Sequence, residues 1–180
     1  MLISAASSLA FDGQRKGFIL GGGIGFGMAS YTQTVNDETS DRENKGAVIT
    51  DFKIGFAANE QTEIYYTSKV SWFSLKNVFD ETVTIANGIG AVGVSYSLKT
   101  YAPTWFLTGG LGLSSWDAPF ESNSDAWIGF GLFAGAGYEF SKHYGVEFDI
   151  LYGKPSTSVG GNDASTNALA VKATINALAY

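Results

Sequence analysis

A chain of 180 residues with 45% hydrophobic and only 16% charged side chains falls well short of the usual quarter of charged residues, so part of its surface is built for something other than water. A net charge of −6 with only Arg15 and Arg42 as arginines excludes a phosphate-binding nucleic-acid protein, and the lack of cysteine excludes disulfides and thiolate metal sites. No run approaches the roughly 18 uninterrupted apolar residues of a membrane helix, and 23 glycines against 3 prolines place the glycine inside ordered structure.

Residues 1–10, MLISAASSLA, are apolar and small, with Ser8 and Ala10 spaced as before a signal-peptidase cut ahead of Phe11 but without a charged leading segment. They read as an export-signal remnant or a disordered tail, which leaves residues 11–180 for the folded domain. From there period-two alternation, the mark of strands with two unlike faces, recurs in eight segments. The first sets Phe18, Leu20, Ile24, Phe26 and Met28 against Gly21, Gly23, Gly25 and Gly27. The second sets Val48, Phe52, Ile54 and Phe56 against Asp51 and Lys53, and the third sets Ile64, Tyr66, Val70 and Trp72 against Glu63, Tyr65, Thr67 and Lys69. The fourth, 82–98, starts with Val83, Ile85 and Ile89 in one phase and continues with Val92, Val94 and Tyr96 in the other, which predicts a bulge between Gly88 and Gly93. Trp105, Leu107, Leu111 and Leu113 mark the fifth; Ile128, Phe130, Leu132 and Tyr138 opposite four glycines mark the sixth; Val146, Phe148, Ile150 and Tyr152 opposite Glu147 and Asp149 mark the seventh. The last runs Leu169, Val171 and Ile175 in one phase and Leu178 and Tyr180 in the other, with its register open.

Long polar links at 33–45, 74–81, 115–125 and 154–165 alternate with short ones near 59–62, 99–103 and 141–143. That is the pattern of an outer-membrane barrel with long outside loops, short periplasmic turns and both termini in the periplasm. The first and last long links are expected to be mobile. The bulky face belongs outside, because a glycine face bare to water wastes strand propensity, whereas inside a narrow barrel it leaves room for longer neighbours. Closure also satisfies every backbone amide in lipid. The expected fold is an all-β, eight-stranded antiparallel up-and-down transmembrane barrel. Its expected lumen network is Asp51, Lys53, Glu63, Tyr65, Lys69, Glu139, Glu147 and Asp149. Its expected interfacial girdle is Tyr31, Trp72, Tyr96, Trp105, Trp116, Trp127, Tyr138, Tyr144 and Tyr152, aromatics that lie toward strand ends.

On this alternation, and on the aromatic C-terminus Tyr180, the chain from Phe11 to Tyr180 resembles the small outer-membrane β-barrel superfamily typified by the transmembrane domain of outer-membrane protein A. The resemblance implies outer-membrane lipid as surroundings and recognition of the C-terminus by the barrel-assembly machinery. No peptidoglycan-binding domain follows in this sequence, so it implies no wall anchoring. Barrel enzymes of lipid A use a histidine with a serine and a carboxylate near the outer leaflet; here the lone His143 falls in a short turn at the opposite end, near Ser141 and Glu139, and reads as a turn residue. The loop acids Asp37, Glu38, Asp41 and Glu43 lack calcium-loop spacing, and GGGIGFG opens no helix, so no metal, cofactor or phosphate cradle is expected. The function expected is a structural or binding barrel that displays its outside loops over a lumen plugged by polar side chains. The alternative, a narrow cation-preferring pore, rests on five inward acids against two inward lysines; a lipid-modifying enzyme comes third.

Overall fold

The computed structural model describes residues 15–76, 80–122, 124–159 and 162–180; the expected signal remnant at 1–10 lies outside the described residues. Eight long strands form among them: β1 (Gly17–Val35), β3 (Glu43–Ala57), β4 (Thr62–Lys76), β5 (Thr82–Ser97), β6 (Thr104–Asp117), β7 (Trp127–Ser141), β8 (Tyr144–Val159) and β9 (Asn162–Ala179), with a two-residue strand β2 (Glu38–Thr39) between the first two. Each long strand pairs antiparallel with the next, and β1 pairs with β9 from Leu20↔Ala179 to Val35↔Ala164, so the sheet closes into a barrel without a free edge along its length.

Bulk on the alternating outer face is what makes this surface one for lipid. Phe26 is 76% exposed, Leu111 62% and Ile175 64%, and every long strand adds to the same belt. Along β1 the belt runs from Phe18 to Met28, about 25 Å once a tilt of roughly 40° is allowed for, which matches a hydrocarbon layer. Water would leave this many large apolar groups unsatisfied around the whole circumference.

Three points of the strand pattern are resolved here: an expected bulge, an open register and two links expected to be mobile. Residues 82–97 keep one continuous register with both β4 and β6, so there is no bulge between Gly88 and Gly93. The change of phase arises because Ile85 and Ile89 are inward, buried lumen residues while Val92, Val94 and Tyr96 point to lipid. Outside, Tyr66 lies over Gly90, whose Cβ would stand 2.8 Å from the Tyr66 hydroxyl. A register shift falls instead between Glu139 and Ser141, next to the two-residue turn at Lys142 and His143, where His143 takes a φ of 72°. Second, β9 needs no shift: Leu169, Val171 and Ile175 face out while Ala168, Ala170, Lys172 and Thr174 are buried, and Tyr180 turns inward at the end. Third, much of the two links expected to be mobile is paired strand. Ser156↔Ser165 through Val159↔Asn162 continue the β8–β9 ladder, and Val35↔Glu38 closes a two-residue hairpin on Asn36 and Asp37, whose φ values of 47° and 69° suit a turn with two left-handed positions. Serine and threonine hydroxyls in those links read as loop chemistry, yet β-branched Thr34, Thr39 and Thr157 sit well in strands.

Candidate functional site in the barrel lumen

Inward residues of the eight long strands, with Arg15 and Tyr180 at their ends, form three layers, described from the long-loop end to the short-turn end. The first is aromatic. Tyr31, Phe73 and Trp116 close a triangle with ring centroids 5.9, 5.6 and 4.8 Å apart, backed by buried Ile85 and Ile89 and by Trp127, Leu75 and Val83. The Tyr31 hydroxyl donates to Glu43 Oε2 at 3.0 Å, and Lys45 pairs with the same carboxylate at 3.2 Å. Tyr31, Trp116 and Trp127 are therefore not girdle residues. Tyr31 shares its phase with Gly21–Gly27, and the two tryptophans sit out of phase with the outward Leu113 and Ile128; proximity to a strand end does not override the alternation. Trp72, Tyr96, Trp105, Tyr138, Tyr144 and Tyr152 do occupy outward positions, with Trp105 and Tyr138 in ring contact at 4.9 Å and Trp72 near Phe120 at 6.3 Å.

The second layer is ionic and centres on Lys69, whose side chain is 0% exposed. Its ammonium donates to Asp51 Oδ2 at 2.5 Å, Glu147 Oε1 at 2.7 Å and Asp149 Oδ2 at 2.9 Å, and it stands 5.2 Å from the Phe133 ring centre. Asp51 and Lys69 are cross-strand partners, whereas Glu147 and Asp149 reach across from β8 with sequence separations near eighty residues. Such a pairing spans the lumen and ties opposite walls together. The three carboxylates offer oxygens within 4.8 Å of one another, the spacing of a cation cage, and the ammonium is the cation in it. Lys53 adds a longer pair to Glu147, 3.7 Å, and lies 4.3 Å over the Tyr65 ring. The Tyr65 hydroxyl bonds Ser95 at 3.0 Å and Thr108. Lys172, 2% exposed, faces Asp149 across the β8–β9 ladder, and among the described residues neither its Nζ nor Asp149 Oδ1 finds a hydrogen-bond partner.

Below Lys53 lies a cavity of about 50 Å³ with Glu63 and Glu147 in its lining. The third layer, to which Glu139 and Tyr180 of its lining belong, lies beneath it. Arg15 donates to Glu139 and to the carbonyls of Glu60 and Lys99, at 3.2 and 2.9 Å, so one guanidinium binds β7 and two short turns. The Tyr180 hydroxyl donates to Glu139 Oε1 at 2.7 Å. Burial and that bond push the hydroxyl up to about 12. His143 lies in tilted ring contact with Tyr180 at 4.6 Å, and its Nδ1 lies 2.9 Å from the Leu178 carbonyl oxygen, so the ring serves the turn.

All eight residues expected in the lumen are buried there, but they do not form one network: Asp51, Lys53, Lys69, Glu147 and Asp149 meet, Glu139 belongs to the lowest layer, and Tyr65 and Glu63 lie between. Sequence reasoning missed Lys172, Arg15, Tyr180 and the aromatic layer. Lys172 carried a signal, since it alternates with outward Val171; Arg15 precedes the first alternating segment and carried none.

No protein-family model and no curated protein matches this sequence. Among solved structures the barrel is similar to Neisserial surface protein A, with 11% identity and a TM-score of 0.56 over 90% of this chain and 97% of that one. It is similar also to the attachment invasion locus protein of Yersinia pestis, with 11% identity and a TM-score of 0.52 over 89% and 99%, and to outer membrane protein OprG from Pseudomonas aeruginosa, with 12% identity and a TM-score of 0.51 over 93% and 98%. At such identities the likeness is one of fold. In fold, this chain is a closed, eight-stranded antiparallel β-barrel of the small outer-membrane type.

Proposed function

We propose that the protein resides in the bacterial outer membrane as a non-conducting barrel of structural or binding type, with its short turns and both ends of the described barrel in the periplasm and its longer connections displayed outside. Insertion would come through the barrel-assembly machinery, and outer-membrane lipid would be its standing partner. The observation that carries the reading is the fully buried Lys69, bonded across the lumen to carboxylates of β3 and β8 beneath an aromatic layer. Two barriers of different chemistry thus cross the same narrow bore. Among the described residues Arg15 and Lys172 bring the inward bases to four against five acids, which weakens the charge argument for a cation-preferring pore. His143, engaged by Leu178 and Tyr180, supports no catalytic arrangement with Ser141 or Glu139.

Reconstitution into planar lipid bilayers tests the reading. A plugged barrel gives no stepwise conductance under moderate voltage, whereas steady cation-selective openings would overturn it in favour of the pore.

A further inference from the structure

We propose that the cavity between the Lys69 cluster and the Arg15 layer binds a monovalent inorganic cation, with Glu63 as its anchoring carboxylate. The inference goes beyond the plugged-barrel reading and does not depend on what the loops bind. Glu63 is 5% exposed and lines this cavity, yet among the described residues nothing forms a hydrogen bond or an ion pair within 4 Å with its carboxylate. The other four inward acids are all paired: Asp51 and Asp149 with Lys69, Glu147 with Lys69 and Lys53, and Glu139 with Arg15. Lys53 and Arg15 are the cations that act most on Glu63, from beyond bonding distance, while Lys172 stands across the ladder from Asp149. Among the described residues five inward acids stand to four bases, one positive charge short, and the shortfall is local to this chamber. A buried carboxylate without a partner is costly, so a mobile cation that fits will be held there.

The surroundings define the cation. Besides Glu63 and Glu147 the lining offers Ser95, Ser97 and Asn176, and because Asn176 gives an amide hydrogen to Thr174 at 3.0 Å, its carbonyl oxygen stays an acceptor. These are hard oxygen donors, suited to alkali ions. A volume of about 50 Å³ admits an ion with a water or two, and Lys53 in the same lining removes the charge surplus that a divalent ion would require.

Equilibrium urea unfolding in detergent micelles, at fixed ionic strength and pH, compares sodium or potassium chloride with N-methylglucamine chloride, whose cation is too large to enter. The wild type is expected to show a saturable rise of the midpoint with sodium or potassium and none with N-methylglucamine. Glu63→Gln should fold, keep its midpoint in N-methylglucamine or raise it, and lose the response. Lys53→Met, which removes the competing ammonium, should lower the concentration of half-maximal response several-fold, and this second variant decides the matter if Glu63→Gln does not fold. A wild type indifferent to the cation but responsive to pH would mean that a proton neutralises Glu63 and would overturn the proposal, as would a Glu63→Gln variant that keeps the cation response.

Discussion

Lys69 and Lys172 are both buried lysines on the inner wall, and they should respond in opposite ways to removal of charge. Lys69→Met leaves Asp51, Glu147 and Asp149 around an empty centre and is expected to cost about 3–5 kcal/mol, because breaking one side of a buried pair strands the other. Lys172→Met removes an ammonium that has no hydrogen-bond partner and should be neutral or stabilise by on the order of 1 kcal/mol. Urea unfolding of the two variants under identical conditions checks the contrast, and equal losses would show that the cluster is not centred on Lys69. Tyr180 permits a test in pH. A hydroxyl pushed from 10 to about 12 in the folded state stabilises below the unfolded value and loses that contribution as pH rises through the folded one. The destabilisation caused by Tyr180→Phe should therefore be constant between pH 6 and 9 and shrink above pH 10; a difference that grows with alkalinity would contradict the Glu139 bond. Inward placement of the expected lumen residues was legible in the sequence because alternation alone settles it. Which acid meets which base was not, since Lys69 and Asp149 are 80 residues apart and only barrel closure brings them together.

Among the strands, the glycines of β1 show where alternation says less than packing. An inward glycine face predicts room for long neighbours, and the structure adds that β9 approaches this face closely. A Cβ on Gly25 would lie 1.9 Å from the Ala173 carbonyl oxygen and one on Gly27 would lie 2.5 Å from that of Val171. These glycines permit the β1–β9 seam, the pairing of greatest sequence separation and hence of greatest loop-closure cost in the barrel. Gly25→Ala should cost about 1–3 kcal/mol through overpacking at the seam, whereas Gly46→Ala, with nothing within 4 Å, should be silent. Folding yield and urea midpoint in micelles distinguish them, and a silent Gly25→Ala would show that the seam relaxes freely. The phase change in β5 was visible as a fact and misread as a bulge, because apolar residues can serve a lumen layer as well as a lipid face: Ile85 and Ile89 pack with the aromatic triangle, and Val92 and Val94 are exposed on the outer belt. The same alternation, applied to Tyr31, Trp116 and Trp127, would have removed them from the girdle.

For the whole molecule, an outer belt that only lipid can cover and an inner column that only closure can complete are two sides of one arrangement. Strand length, chain reversal and the apolar belt were all legible from residue order, which is why the architecture could be read before any contact was known; the plug could not, because it is assembled from all sides at once. The direct test is flotation after refolding in the presence of phospholipid vesicles. The chain should rise with the vesicles through a density gradient and migrate faster on a gel before boiling than after it. A chain that stays at the bottom as a water-soluble monomer, folded without any amphiphile, would contradict the outward placement of Phe26, Leu111 and Ile175 and with it the barrel's place in a membrane.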